Sequence, residues 1–153
     1  MTEDASPQDF WSAAFAEAQA AGARGEAPIG AVVAQGGAVI ARAGNRTRQD
    51  NDPTAHAEVL AIRAAAKALG NFRLTDCDLY VTLEPCAMCA GAISHARLRR
   101  LYFAAYDAKG GAVENGPRVF AQADCLHVPE VYGGIRELEA ATLLRAFFKE
   151  RRG

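Results

Sequence analysis

Two short stretches of this chain carry residues whose types and spacing suit metal-assisted hydrolysis: His56 and Glu58, one residue apart, and Cys86 and Cys89, a Cys-x-x-Cys pair directly behind Pro85. Zinc favours nitrogen and sulfur donors in a tetrahedron, and a catalytic site takes three from the protein and leaves the fourth position to water. His56, Cys86 and Cys89 can supply the three. The Cys-x-x-Cys spacing places both sulfurs on one face of a helical turn, where free N–H groups and the helix dipole stabilise thiolates. Glu58 lies two residues beyond His56 and points away from it on a regular helix, so it is a poor fourth ligand. In a first turn, however, its longer side chain can reach an activated water. Zinc lowers the pKa of such a water from 15.7 towards about 7, and a nearby carboxylate can take the proton and return it to substrate.

Other chemistries use the same residues. A Cys-x-x-Cys pair also serves thiol redox proteins and structural zinc ribbons. A structural zinc site needs a fourth ligand, for which Cys77, Cys125, His95 and His127 are available, but none has the close second-pair spacing of a ribbon or finger. Each reads as an ordinary packed or surface residue. Four cysteines in a chain of this length are too few and too unevenly spaced for a disulfide scaffold. Arg97, Arg99 and Arg100 read either as a solvated surface or as phosphate contacts.

Secondary structure must bring the two stretches together. Ser6-Pro7-Gln8-Asp9 reads as a capped helix start, followed by an apolar stripe through Phe10, Ala14 and Ala18 that ends near Gly22. Ile29 to Val33 and Ala38 to Ala41 flank Gln35-Gly36-Gly37, a hairpin turned by glycines that tolerate positive φ. Asn45 to Asp52 is a polar loop. Thr54 is the expected cap of the next helix, with Val59, Ile62, Ala66 and Leu69 as its apolar face and Gly70 as its stop. Leu79 to Leu83 and Leu101 to Tyr106 read as strands on either side of a short helix opened by Pro85. Gly110 to Gly134 reads as irregular, and a last helix covers Arg136 to Lys149, with Leu138, Leu143, Leu144 and Phe147 available for packing. Helices interleaved with strands predict an α/β layered fold, with residues 1–153 as a single domain and no repeats.

Composition narrows the function classes. Half of the residues are hydrophobic and 23% charged, which suits a globular domain with a real core. No apolar run is long enough to cross a bilayer, and Glu3 and Asp4 stand where a signal peptide carries positive charge. The expectation is a soluble cytoplasmic protein. A net charge of −1 gives no support to bulk nucleic-acid binding but leaves room for a local basic patch.

His56-Ala57-Glu58 followed by Pro85-Cys86-Ala87-Met88-Cys89 matches the H-x-E…P-C-x-x-C signature of zinc-dependent cytidine and nucleobase deaminases. The longer stretches PTAHAEVLAI, FRLTDCDLYVTLEPCAMCAGAI and DAKGGA resemble the bacterial tRNA-specific adenosine deaminases. The resemblance runs from about Phe10 to Arg152. It implies a cytidine-deaminase-like layered fold, with a central five-stranded mixed sheet flanked by helices, assembled as a homodimer. It also implies conversion of the wobble adenosine in a tRNA anticodon stem-loop to inosine. By motif, His56, Cys86 and Cys89 would hold Zn2+ and Glu58 would shuttle protons. Asn45, the Ala57 backbone, Asp107, Phe147 and Phe148 would touch the substrate. The sequence departs from the family at Tyr106, where several relatives carry a basic residue, and across Glu114 to Gly134. The alternative is a deaminase of a free base or nucleoside, such as guanine or cytosine. Helix 86 to 96 and the strand after it are apolar on several sides, in keeping with a dimer.

Overall fold

The computed structural model, which describes residues 7–152, runs α1 (Pro7–Ala23), β1 (Gly30–Gln35), β2 (Ala38–Gly44), α2 (Ala57–Leu69), β3 (Cys77–Leu83), α3 (Ala87–Ala96), β4 (Arg100–Ala105), a 3-10 turn (Val119–Ala121), β5 (Glu130–Tyr132) and α4 (Glu137–Arg152). The expected Ser6 cap of α1 and the side chains of Arg151 and Arg152 lie outside the described residues. The strands form one five-stranded mixed sheet in the order β2-β1-β3-β4-β5. Neighbours are antiparallel from β2 to β3 and parallel from β3 to β5. The sheet is the mixed five-stranded sheet expected above.

Alternate residues of a strand point to opposite faces, and the central strands are apolar on both. Ala31, Val33, Leu79, Val81, Leu101 and Phe103 face α2 and α3, where they meet Ala57, Ala61, Ala65 and Ile93. Val32, Ala34, Tyr80 and Ala104 face the other way, against Phe10, Trp11, Phe15 of α1 and Ala140 of α4. The result is three layers. Across the second face Tyr80 stacks on Tyr102 and Tyr102 on Tyr132, with ring centroids 4.5 and 5.1 Å apart. Trp11 meets the edge of Tyr80 at 5.4 Å. Among the described residues, no helix is long and apolar enough to cross a membrane.

Several expectations change. The face of α2 that is fully buried is Ala57, Ala61 and Ala65, while Val59, Ile62, Ala66 and Leu69 are only partly covered. Small side chains let the helix backbone approach the sheet, and the larger ones sit at the margins of that contact. The segment read as irregular holds both the 3-10 turn and β5. β5 spans three residues, Glu130–Tyr132, too few for a periodic pattern to register. Leu138 is 75% exposed, and Ala140 takes the buried position on α4. Leu101 and Phe103 of β4 are buried inside the chain, while Tyr102 is only partly covered.

The cap of α2 also differs from expectation. Thr54 is exposed and its backbone N–H and hydroxyl both donate to Asp52 Oδ1, at 2.9 and 2.7 Å. The N-cap position falls on His56, whose side chain makes no capping bond. Asn45, twelve residues upstream, takes over: its Oδ1 accepts the Ala57 N–H at 2.9 Å in a buried setting. Loss of an N-cap bond costs about 0.5–2 kcal/mol, whereas exposed sites away from such features stay within about 0.5 kcal/mol. Asn45→Ala should therefore lower the urea midpoint clearly and Thr54→Ala should barely move it.

Candidate active site

The two motif stretches meet at the starts of α2 and α3. His56 and Cys86 are the N-cap residues of these helices, both with extended backbone, at φ −76°, ψ 150° and φ −74°, ψ 177°. Neither side chain caps its own helix, so ring and sulfur are free to face each other. His56 Nδ1 lies 3.6 Å from Cys86 Sγ and 3.5 Å from Cys89 Sγ. The three donor atoms lie within 4.8 Å of one another, and among the described residues they are the one His/Cys/Asp/Glu group so arranged. Cys77, Cys125, His95 and His127 stay outside it. Cys77 is buried in the core, and His127 Nε2 is 2.7 Å from the Leu98 carbonyl.

The donor set fits zinc. Zn–N bonds near 2.0–2.1 Å and Zn–S bonds near 2.3 Å at tetrahedral angles give N···S edges of about 3.6 Å, which matches both distances. The charges fit as well. Hydrogen bonds from Cys89 and His56 draw the Cys86 pKa down to about 4, and the contact with Cys86 raises that of His56. Cys89 is pushed upward by Cys86 and then by burial. Cys86 is thus a thiolate at neutral pH, and a divalent cation would compete favourably for the remaining proton.

Glu58 is 4% exposed and lies beside Cys89 and His56. Burial raises its pKa; the Cys86 charge adds to this, while its own backbone N–H pulls the other way. A carboxyl whose affinity for a proton is raised in this way is suited to taking a proton up and passing it on.

Two further buried carboxylates went unread in the sequence. Glu26, 1% exposed, accepts the N–H groups of Arg48 and Gln49, at 3.1 and 2.8 Å, and the Thr47 hydroxyl at 3.3 Å. Burial raises its pKa, but these donors bring it below the ordinary value. Glu84, 2% exposed, binds the loop after β4 through five donors, and its pKa is likewise lowered on balance against burial. The one sequence signal for either was a charged residue next to an apolar strand.

The expected substrate residues are placed as follows. Asn45 and the Ala57 backbone are bonded to each other. Asp107 Oδ1 accepts the N–H groups of Lys109 and Gly110, at 3.1 and 3.0 Å, which closes a tight turn. That turn borders a groove of about 670 Å³, which takes in Leu83, Tyr106, Asp107, Lys109, Arg145 and Phe148. Phe148 is 49% exposed and also borders a second hollow with Glu26, Thr47 and Arg48. Phe147 is half-buried and meets Phe148 edge-on at 5.4 Å. Arg99 and Arg100 are taken up by ion pairs with Asp78 and Glu130, which favours the structural reading of both.

The layered sheet and the donor triangle beside a buried carboxyl are shared with deaminases, the class that the family model and the solved structures give. More particularly, the chain belongs to the MafB19-like deaminase family, whose model matches residues 5–152. It is 60% identical over 143 residues to the tRNA-specific adenosine deaminase of Agrobacterium fabrum, covering 94% of each chain. A solved tRNA deaminase that carries out A-to-I editing at the wobble position of transfer RNA superposes with a TM-score of 0.88 and 59% identity, over 90% of this chain and 99% of that one. A guanine deaminase from Bacillus subtilis matches with 45% identity and a TM-score of 0.64, over 66% of this chain and 65% of that one.

If the three donors act together, Cys86→Ala should abolish stoichiometric binding of a divalent metal. Metal analysis of the purified variant beside the parent protein checks this.

Proposed function

We propose that this chain, as one domain over residues 1–153, hydrolyses the wobble adenosine of a tRNA anticodon stem-loop to inosine, with Zn2+ held by His56, Cys86 and Cys89. The triangle of His56 Nδ1 and two sulfurs, with a buried Glu58 beside it, carries the chemical part of the reading. Similarity over nearly the whole length to tRNA-specific adenosine deaminases supports the substrate.

Zinc bound there would supply the Lewis acidity that makes water a nucleophile near neutral pH. Glu58 would accept a proton from the attacking water as its oxygen bonds to C6, and would deliver that proton to the ring nitrogen beside C6. The same carboxyl then carries a proton to the exocyclic amine. The C6–N bond breaks, a C6 carbonyl forms and ammonia departs, so adenosine and water become inosine and ammonia. Asn45, with Oδ1 committed to Ala57, offers its amide N–H groups to the base. The Asp107 turn and Phe148 both line the groove, where an exposed ring can stack on a flanking base. Lys109 and Arg145 on the same groove suit phosphates, and a net charge of −1 keeps such contacts few. A tRNA substrate is in keeping with a cytoplasmic protein.

We also propose that the protein works as a homodimer. A second groove, of about 860 Å³, runs between α2 and α3 and the 119–126 segment, with Val59, Ile62, Phe72, Val119 and Leu126 along it. Phe72 and Leu126 are 76% and 77% exposed, an apolar surface of the kind that a partner covers. Light scattering at micromolar concentration should give twice the monomer mass, and a strictly monomeric protein would remove this part of the proposal.

Glu58→Ala should retain zinc in full yet lose about 10²- to 10⁴-fold in turnover, the range of general acid–base groups. Near-normal turnover of that variant would exclude Glu58 as proton carrier.

The substrate is tested by direct comparison. The zinc-loaded protein should deaminate an anticodon stem-loop carrying adenosine at the first anticodon position, with kcat/KM far above that for free adenosine, adenine, guanine or cytosine. Rapid conversion of guanine or cytosine with the stem-loop untouched would move the chain to the small-molecule deaminases.

A further inference from the structure

Glu84 directly follows the buried strand β3, two residues before Cys86, and all five hydrogen bonds to its carboxylate come from elsewhere than the metal-type donors. It is instead enclosed by the loop that follows β4. Oε1 accepts the Asp107 N–H at 3.0 Å and the Asn115 Nδ2 at 2.7 Å. Oε2 accepts the N–H groups of Val113, Glu114 and Asn115 at 3.1, 2.9 and 3.1 Å. The fit extends to Gly111, where a Cβ would come within 2.5 Å of the Glu84 carboxyl carbon. Main-chain bonds run beside it: Glu84 N–H to the Ala105 carbonyl at 2.8 Å, and Ala112 N–H to the Pro85 carbonyl at 2.9 Å.

A buried anion is costly unless its lone pairs are filled. Here they are filled by donors from one segment, Asp107 to Asn115. The carboxylate therefore stays buried only while that loop keeps this one shape. The loop's first residues, Asp107 to Gly110, form the wall of the 670 Å³ groove. One side chain thus joins the strand that delivers Cys86 to that wall.

We infer that Glu84 is a positioning residue for the substrate: its carboxylate sets the distance between the Cys86 end of the site and the Asp107–Gly110 wall. It touches neither the reacting atoms nor the metal donors, and it acts through the loop. The consequence for RNA rests on the tRNA reading above, whereas the consequence for the loop does not.

The test uses zinc-loaded full-length protein and the Glu84→Gln variant. The substituted amide puts an N–H2 in place of one carboxylate oxygen, so that at least one backbone N–H of the loop loses its acceptor while size is kept. Zinc content should be unchanged. Hydrogen exchange should accelerate at the amides of residues 107 and 113–115 and stay as in the parent protein in β3 and α3. With the anticodon stem-loop, KM should rise about tenfold or more, as expected for a misplaced positioning element, with kcat nearly retained. Asn115→Ala removes one donor and leaves the carboxylate in place, so it should shift the same two readouts in the same direction by less. Asn115→Asp sets two carboxylates against each other and should be worse than Asn115→Ala.

Unchanged exchange at 107 and 113–115 in Glu84→Gln would overturn the inference, as would loss of zinc. If the parent protein itself leaves the stem-loop unconverted, the tRNA reading fails and the exchange pattern still decides the role of Glu84 in the loop.

Discussion

The hydrogen bond from the Ala57 N–H to Asn45 Oδ1 fixes where α2 begins and, with it, what His56 is free to do. An N-cap residue ordinarily spends its side chain on the first turn of its own helix. Because Asn45 does so from the end of β2, the imidazole of His56 is released to face two sulfurs. Asn45 is itself clamped at both main-chain groups, its N–H to the Ile29 carbonyl at 3.2 Å and its carbonyl to Arg24 Nη2 at 2.9 Å. The position of the histidine is thereby inherited from the β1–β2 hairpin and α1. Cys86 is delivered in a similar way by the end of β3. The donor triangle is in this sense a property of the sheet, since each donor stands one short segment beyond a strand end.

Three buried carboxyls show how surroundings divide one functional group into different roles. Glu26 and Glu84 are filled by N–H donors and stay ionised, each as the fixed centre of a loop. Glu58 faces sulfur and imidazole, and burial raises its affinity for a proton. The first two hold shape because three donors fill Glu26 and five fill Glu84. Glu58 has sulfur and imidazole beside it instead of a ring of N–H donors, which suits the proton transfer proposed for it.

The chemical residues were legible because their types are rare in such combination and because helix starts leave local marks: Pro85 before Cys86, and a histidine and a glutamate before an alanine-rich run. The layered α/β class was legible from alternating apolar patterns, and the strand order was expected only through the family resemblance. What stayed hidden depends on distance along the chain. Nothing near Thr54 reveals that a residue twelve positions before Ala57 will cap the helix. Nothing near Glu84 reveals that its partners lie some 23 to 31 residues later. The inward face of α2 was misjudged for a related reason: hydrophobicity singles out Val59 and Ile62, whereas close approach to a sheet selects Ala57, Ala61 and Ala65. Phe148 was identified by resemblance, and its exposure beside the groove is a matter of how α4 lies across the sheet.

The aromatic row on the outer face gives the molecule a built-in optical reporter. The sequence contains one tryptophan, and Trp11 is 4% exposed against the edge of Tyr80, with Phe15 at 6.1 Å. Its indole sits in the layer between α1 and the sheet, whereas His56, Cys86 and Cys89 belong to the opposite layer. Fluorescence excited at the red edge of aromatic absorption therefore comes from one site, and its wavelength follows the hydration of the α1 interface. A change in that emission marks the outer helix lifting from the sheet, a process optically separate from events among the cysteines across the five strands.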